Sequence, residues 1–474
     1  MRTDEVRVVV AENERLRAEV CALRQANAAL RQANAELQEQ VDVLGGDLQA
    51  ALARVAELER RKAQPPSFVK PNRRSAKPKG VRKKRAAEHN TSRKRMAATR
   101  VERHALERCP VCHYGLSGES VAYTREVIEL PPPQPVEVIE HQVIKRWCPC
   151  CERWRSPRLE LQGQVLGQGR IGVRLASLVS YLRTTLRLPV RAIQNYLATL
   201  HGVQLSVGEI VELTHGVRRA LQPQADALKA AMQSSLVVHG DETGWREEGR
   251  NGYVWAFVTA GPAAVRYFEF DFSRSHLVAQ RILGDFRGWL VTDFYAAYNL
   301  VRGRHQRCWS HLLRDLHTLK EEQAEQAEVL TWASAVRALY AEAQAWLATH
   351  PLPTWMEREA TYTDLVRRLC CLGEQYAFTP THPCYALAKR VLRHQDELFQ
   401  FVLIPGLPAD NNLAERSLRP LVVIRKISGG TRSPAGTRTR LTLASVFHTW
   451  VARNLNPFLE CLAALQHLTA TAPP

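Results

Sequence analysis

The first sixty residues carry apolar positions that repeat every seven residues. Five consecutive heptads place leucine at the position expected for d of a left-handed coiled coil, and further apolar residues follow four positions later, at a. The d residues are Leu16, Leu23, Leu30, Leu37 and Leu44, and the apolar a residues are Val20, Val41, Leu48 and Val55. We therefore predict a leucine-zipper coiled coil over residues 1–60 that makes the protein a dimer or higher oligomer. The alternative is a solitary amphipathic helix that lies on the protein's own core.

Polar and flexible residues modify this repeat. Asn13, Asn27 and Asn34 share the a register, where an asparagine that faces its own copy can form a hydrogen bond. Such positions fix the register of the two helices at some cost in stability. We expect Gly45-Gly46 to interrupt or loosen the helix before Leu58.

Helical periodicity also marks residues 165–230. Two of the helices there flank the turn His201–Leu205, and Ser206 with Glu209 matches a capping box at the start of the second. Two helices around a turn that contains glycine permit a helix-turn-helix DNA reader. They equally permit a plain helical hairpin, and the spacing does not decide between the two.

After Met232 the apolar pattern changes to that of strands. One short strand ends at Gly240-Asp241 and another ends on Asp293. The predicted strands are Ser235–His239, Tyr253–Thr259, Val265–Phe272 and Gly288–Asp293, with a helix over His276–Leu283. This is an α/β pattern, which we assign to a domain over residues 231–440 followed by a helical tail over 441–474.

The two strand-end aspartates point to metal chemistry. Neighbouring parallel strands lie about 5 Å apart, so Asp241 and Asp293 can share divalent metals that are about 4 Å from each other. Hard oxygen ligands favour Mg²⁺ or Mn²⁺. Two aspartates alone are a weak signal, because aspartate is common where strands end.

A third carboxylate lies far along the chain, in the segment from Ala409 to Pro420. This segment opens with helix-capping residues and carries Glu415 one turn into the predicted helix, with Arg416 and Arg419 beside it to hold phosphates or pair with acidic neighbours. The stretch Glu321–Gln400 is almost wholly helical in pattern, which predicts a helical insertion at about 320–400. It can shape a DNA channel, stabilise a DNA hairpin or a flipped base, or only buttress the core.

Charge changes the picture at the linker that follows the zipper. The formal net charge is +18, and residues 60–108 hold 18 Lys and Arg against 3 Glu. Residues 61–105 are also poor in large apolar side chains, so we expect a disordered basic linker. Its run Arg82-Lys83-Lys84-Arg85 can neutralise phosphates of double-stranded DNA without reading sequence. The alternative is a merely solvated tail.

Eleven cysteines are read in the context of a reducing compartment. No stretch is apolar enough for a membrane span and no signal core is apparent, so we expect a cytoplasmic protein without membrane contact. Two C-x2-C pairs in residues 106–160 match a structural four-thiolate zinc site in a zinc ribbon. The predicted ligands are Cys109, Cys112, Cys148 and Cys151. Cys150 competes with Cys151, and buried cysteines without a metal are the alternative to zinc.

These motifs resemble the large transposase of the insertion-sequence sixty-six family, over nearly the whole chain. The most specific stretches are His239–Trp245 (HGDETGW), Thr292–Tyr298 (TDFYAAY) and Asp410–Pro420 (DNNLAERSLRP), with Asn454–Pro457 (NLNP) near the end. The resemblance implies an RNase H-like catalytic domain whose metal-binding Asp-Asp-Glu triad is Asp241, Asp293 and Glu415. One motif departs from the family pattern. Cys308-Trp-Ser-His311 is followed by Leu312-Leu313-Arg314, where the family usually has two basic residues, which puts in doubt one DNA or structural contact.

The expected whole is thus a multidomain DNA transposase that cleaves strands and then joins them by two-metal phosphoryl transfer. Its expected partners are the transposon ends, the target DNA, further copies of itself and small accessory proteins of the element. We expect it in the bacterial cytoplasm, associated with the nucleoid. The alternatives are a metal-dependent DNA nuclease of the same fold, a zinc-containing DNA-binding regulator, or an inactive relic.

Three residues near the triad are expected to do other work. Glu242 adjoins Asp241, but side chains alternate along an extended chain, so its carboxylate should point away from the triad. His239 and His311 are potential metal or phosphate contacts, although an ordinary packed or hydrogen-bonded role is commoner. Cys308 lacks a partner for nucleophilic chemistry and should be structural.

Overall fold

The computed structural model describes residues 3–62, 97–130, 132–166 and 169–471. The chain divides into two compact units, Met1–Ile128 and Glu129–Pro474. The basic run at residues 82–85 lies outside the described residues, so its predicted DNA contact stays a prediction. None of the helices in the described ranges combines the length and apolarity needed to cross a membrane.

The first unit is dominated by one helix, α1, over Thr3–Lys62. The predicted interruption at Gly45-Gly46 is wrong, since the helix continues through both glycines. Two glycines cost such a helix about 2 kcal/mol relative to alanine, which a 60-residue element can absorb. Each heptad leucine is more than half exposed on the single chain. The coiled coil itself stays a prediction.

The first β-strands along the described chain form a short hairpin within residues 146–155. Strands β1 (Arg146–Cys148) and β2 (Arg153–Arg155) pair antiparallel, with Trp147 opposite Trp154. The predicted zinc ribbon implies strands between its cysteine pairs, where Val121–Leu130 and Val136–Trp147 are rich in residues that favour strands, but the first segment and most of the second form none in the described residues. Their apolar side chains are largely exposed, so strand pairing would not be stabilised by a buried apolar face. The prolines between the two segments also lack the N–H groups that a β-ladder needs.

Three helices come next, and the predicted capping box is confirmed. The Ser206 hydroxyl accepts a hydrogen bond from Glu209 N at 3.1 Å, and the Glu209 carboxylate accepts one from Ser206 N at 2.8 Å. Gly202 ends the preceding helix in the left-handed conformation, with φ of 65°. The helices are α2 (Val173–Thr184), α3 (Val190–His201) and α4 (Val207–Gln233).

A five-stranded mixed sheet forms the centre of the second unit. Its spatial order is β5-β4-β3-β6-β7, with β3, β4 and β5 antiparallel and with β6 and β7 parallel to β3. The strands are β3 (Val237–Glu247), β4 (Arg250–Val258), β5 (Arg266–Asp271), β6 (Trp289–Thr292) and β7 (Arg304–Arg307). Helix α5 covers His276–Leu283, as predicted.

The expectation that the first strand of this sheet ends before Asp241 is wrong. Strand β3 runs on to Glu247 because its second half pairs with β4 in a hairpin. Its parallel pairing with β6, by contrast, stops at the pair His239 and Val291. Asp241 therefore lies where β3 and β6 separate, which is the place in the sheet that the strand-end argument required.

Both faces of the sheet are covered by helices. On one face Trp255 and Leu290 pack in a core with Leu221 of α4 and Ile282 of α5. On the other face Trp245, Val254 and Ala256 pack against helices that follow later in the chain. Those helices are α12 (Asn412–Ser428) and α13 (Pro434–Ala452), and α14 (Pro457–Thr471) packs into the first core.

Helices also fill the chain between β7 and Glu415, as the pattern over Glu321–Gln400 predicts. They begin earlier than the expected 320, and they build a separate core around Trp309, Trp332 and Phe399. Their bounds are α6 (Trp309–Glu322), α7 (Ala327–Thr349), α8 (Trp355–Tyr376), α9 (Tyr385–Arg393), α10 (Gln395–Leu398) and α11 (Gln400–Leu403). We call α7 to α11 the helical insertion.

Candidate active site

Asp241 is the centre of an acidic cluster at the sheet. It pairs with Ala256 across the β3–β4 hairpin and so shares the sheet face that α12 covers. Burial raises the pKa of its carboxyl to about 8, and the charges of Glu242, Asp293 and Glu415 add to the rise. The structure thus brings the three predicted residues close enough for their charges to interact.

Asp293 follows β6 directly and leaves the ladder where Asp241 does. Its Oδ1 accepts a hydrogen bond from Tyr295 N at 2.9 Å. This contact is formed within the Thr292–Tyr298 motif itself, so one of the contacts that hold Asp293 is local in sequence.

Glu415 comes from the first turn of α12. Its Oε1 lies 3.6 Å from His311 Nε2, too far for a hydrogen bond. This oxygen and His311 Nδ1 are both buried and have no hydrogen-bond partner among the described residues. A buried carboxylate oxygen without a partner costs free energy. Glu415 therefore has an unused acceptor in this arrangement.

Glu242 belongs to the opposite face of β3, as predicted. Its Oε1 accepts hydrogen bonds from Arg274 Nη2 at 2.6 Å and Nε at 3.0 Å, and its Oε2 accepts one from the Tyr298 hydroxyl. The side chain is 2% exposed. Since both oxygens already have donors, Glu242 is occupied in a structural network of its own.

Asn411, which the sequence reasoning missed, ties α12 to β3. Its Nδ2 donates to Gly240 O at 2.7 Å, and its Oδ1 lies 3.2 Å from His239 Nδ1. Its backbone N donates to the buried Cys308 sulfur at 3.1 Å. The signal was present, because Asn411 precedes Glu415 by one helical turn in the DNNLAE stretch.

The pKa values of two neighbours agree with packed roles. Burial lowers the pKa of His239 to about 4, so the ring is neutral at physiological pH. Burial also raises the pKa of the Cys308 thiol. A neutral, hydrogen-bonded His239 fits the packed role rather than a metal or phosphate contact, and a protonated Cys308 thiol fits a structural role.

The predicted phosphate-binding arginines lie on the outer side of α12. Arg416 and Arg419 are exposed, and neither forms an ion pair within the described ranges. Arg425, two turns further along, instead donates to Thr243 Oγ1 at 3.2 Å and to Gly244 O. It therefore holds α12 against β3.

The two cysteine pairs have matching local geometry. Cys112 lowers the pKa of Cys109 through hydrogen bonds, and Cys151 does so for Cys148. In each pair the residue after the second cysteine has a positive φ, 59° at His113 and 49° at Glu152. The contact of Cys148 with Cys151 agrees with the x2 spacing, and Cys150 supplies only its backbone.

In the part of the chain that is described, no three His, Cys, Asp or Glu side chains are placed closely enough to hold a metal ion. The zinc site and the metal-binding role of the triad therefore both stay predictions. The donor set of the triad nevertheless fits Mg²⁺ or Mn²⁺, because it consists of hard carboxylate oxygens. Crowded carboxylates repel each other, and a divalent cation would offset that repulsion.

A five-stranded mixed sheet with helices on both faces defines the class as an α/β domain, with Asp241 in β3, Asp293 directly after β6 and Glu415 in α12. Comparison with known families makes this specific. Residues 168–439 match the model of the transposase IS66 family, and the chain belongs to that family. The resemblance inferred from its motifs is thereby confirmed.

A curated relative is similar over part of its length. It is the uncharacterized protein y4qI of Sinorhizobium fredii (strain NBRC 101917 / NGR234), 25% identical over 287 residues. The match covers 54% of this chain and 52% of the relative, so the chain spans about half the length of the relative it matches.

Proposed function

We propose that this chain is a DNA transposase that cleaves DNA strands and joins them to a target by metal-dependent phosphoryl transfer. The observation that supports the proposal most is that the charges of Asp293 and Glu415 both help to raise the pKa of the buried Asp241 carboxyl. Residues 241 and 415 are far apart in sequence, but α12, which carries Glu415, packs on the face of the sheet to which Asp241 belongs. The five-stranded mixed sheet with helices on both faces is compatible with an RNase H-like domain.

In this proposal all three residues of the triad bind the divalent cations, and each comes from a different part of the fold. Asp241 of β3, Asp293 after β6 and Glu415 of α12 would bind Mg²⁺ or Mn²⁺ through carboxylate oxygens. When bound, two such cations supply the charge that activates the attacking oxygen and stabilises the leaving one. The Glu415 Oε1, which accepts no hydrogen bond from the described residues, supports a ligand role, because a cation would satisfy it.

The chain's other groups would bind and orient DNA. Arg416 and Arg419 are exposed next to Glu415 and free to contact phosphates beside the reacting one. The attacking group is water in the cleavage step and the freed 3′-hydroxyl in the joining step. Each attack is in line at phosphorus, and the bond to the leaving oxygen breaks without a covalent enzyme intermediate.

Outlying segments complete the proposed assembly. The basic linker would give salt-sensitive, sequence-blind affinity for DNA. The matching geometry of the two cysteine pairs supports structural zinc, with Cys109, Cys112, Cys148 and Cys151 as ligands. The exposed heptad leucines of α1 support self-association.

The test is strand cleavage and joining on duplexes that carry the DNA flanking the gene. Asp241→Asn, Asp293→Asn and Glu415→Gln keep side-chain size and remove the charge that holds hard cations. Each variant should lose cleavage and joining by at least about 1,000-fold while its binding to the duplex stays near that of the wild type. Mn²⁺ should replace Mg²⁺.

Glu242→Gln is the matched control, because it removes a neighbouring carboxylate whose oxygens are already satisfied. It should retain substantial activity. Wild-type cleavage by any one triad variant would remove that residue from the proposed site. Cleavage without joined products would favour a nuclease, and binding without cleavage would favour a regulator.

A further inference from the structure

Arg307, the last residue of β7, has a completely buried side chain that reaches Asp293. Its Nη1 donates to the Asp293 carbonyl oxygen at 3.0 Å and to Thr292 Oγ1 at 3.2 Å. Its Nη2 donates to Asn299 Oδ1 at 2.6 Å, and its Nε donates to Glu397 Oε2 at 2.5 Å. All three guanidinium nitrogens are therefore engaged.

The Asp293 carbonyl needs such a donor. The ladder between β6 and β7 ends at Thr292 and Arg307, so Asp293 lies just beyond it. The Thr292 hydroxyl is a second donor to this carbonyl, at 3.0 Å. Asp293 is thus held on its main chain by Arg307 and on its carboxylate by Tyr295 N.

Glu397 connects this contact to the helical insertion. It lies in α10, near the end of the insertion, and its Oε2 also accepts a hydrogen bond from His394 Nδ1 at 2.9 Å. The same short helix is fixed to β7 by Gln306, whose Nε2 donates to Leu398 O at 3.1 Å. The insertion therefore returns to the sheet next to Asp293.

The chemistry of the guanidinium makes Arg307 hard to replace. A buried cation is tolerated only when it is paired and hydrogen-bonded, and Glu397 supplies the opposite charge. Arginine presents its donors in a planar fork, whereas lysine offers a point charge that cannot reach four separate acceptors. The arrangement is specific for arginine at this position.

We propose that Arg307 is a positioning residue that fixes the backbone of Asp293 so that its carboxylate faces Asp241 and Glu415. Glu397 holds Arg307 in turn, which gives the end of the helical insertion a role in building the site. This inference rests on the proposed function, because it assumes that Asp293 is a metal ligand. Outer-shell partners of metal ligands typically change metal affinity by about 10- to 100-fold when they are replaced.

The test is a Mn²⁺ titration of the full-length protein, with free Mn²⁺ followed by electron paramagnetic resonance. Arg307→Lys should weaken Mn²⁺ binding by about 10-fold or more, and Glu397→Gln should weaken it less. Arg358→Lys is the matched control. Arg358 is a buried arginine of the insertion that donates to Val402 O at 2.6 Å, and no contact joins it to Asp293 in the described residues.

Thermal unfolding in EDTA separates positioning from packing. Arg307→Lys and Arg358→Lys should both lower Tm, but only Arg307→Lys should weaken Mn²⁺ binding. If Arg307→Lys shows no cooperative unfolding, Glu397→Gln and Asn299→Leu take its place, since the first removes the charge that pairs with the guanidinium and the second removes one of its acceptors.

Asp293→Asn in the same titration distinguishes the two ways of failing. If it binds Mn²⁺ as well as the wild type does, or the wild type binds none, the metal role in the proposed function fails. If Asp293→Asn loses binding while the Arg307, Glu397 and Asn299 variants match the wild type, the positioning role of Arg307 is overturned. Equal weakening by Arg307→Lys and Arg358→Lys also overturns it.

Discussion

At the scale of single residues, Asn411 is a buried polar side chain that connects two elements of the site. It is 1% exposed and links the start of α12 to β3 through Gly240 and His239. Asn411→Leu keeps the volume but leaves the Gly240 carbonyl without its donor, which should cost about 1–3 kcal/mol of unfolding free energy. Urea unfolding measures this loss. The rate of strand cleavage should also fall under conditions where the variant is fully folded, because Glu415 lies one turn from Asn411.

Asn412→Ala is the control for this variant, since the Asn412 side chain is only half-buried and forms no hydrogen bond within the described ranges. It should change the unfolding free energy by less than about 0.5 kcal/mol. Equal losses for Asn411→Leu and Asn412→Ala would mean that the bridge to β3 does not stabilise the site.

The sequence predicts the carboxylates of the candidate site better than it predicts the residues that hold them in place. Asp241 and Asp293 are found because strands end or part next to them, and Glu415 because of its motif. Asn411 and Arg307 work through partners that are distant in sequence, such as Gly240 and Glu397. No local pattern encodes such pairs, so a single sequence does not reveal them.

At the scale of elements, the pairing of β3 with β6 depends on a glycine at the start of β6. A Cβ at Gly288 would lie 2.5 Å from Leu236 O and 2.7 Å from Ser235 O, both of them backbone atoms. Gly288→Ala should therefore push the strands apart and destabilise the unit by about 1–3 kcal/mol. Chemical unfolding measures the change. Gly208→Ala, in the first turn of α4 with only Ser206 Oγ within 4 Å, should be neutral or stabilising. A neutral Gly288→Ala would contradict this account of the β3–β6 contact.

The elements also mark where pattern reading fails. Strand β7 has the sequence Arg-His-Gln-Arg, which no hydrophobic alternation would detect. It is the last strand on one side of the sheet, and yet Gln306 and Arg307 are both fully buried. Their burial is possible because hydrogen bonds satisfy their polar atoms, some of them with the insertion and the others with the chain around β6 and β7. A strand with buried polar side chains needs hydrogen-bond partners from other elements. Its sequence lacks the apolar pattern of an ordinary strand, so it resembles that of a loop.

At the scale of the whole molecule, the helical insertion separates the two halves of the acidic cluster along the chain. Its helices share a core with α6, around Trp309, Trp332 and Phe399, that is separate from the cores of the sheet, and a contact between β7 and α10 joins the insertion to the sheet. The chain can therefore place many residues between Asp293 and Glu415 without displacing either. This arrangement explains why sequence distance gave no clue to their proximity.

The last prediction concerns self-association through α1. Leu23 and Leu30 are 60% and 62% exposed on the single chain, and a row of heptad leucines of this kind is stabilised by burial against a second helix. The double variant Leu23→Lys, Leu30→Lys should therefore dissociate the protein into species of lower mass in sedimentation equilibrium. Gln25→Lys with Gln32→Lys adds the same charge two residues further along each heptad, outside the a and d positions, and should keep the wild-type mass. Unchanged mass for the leucine variant would mean that the stripe packs on the protein itself, and dissociation of both variants would assign the effect to charge.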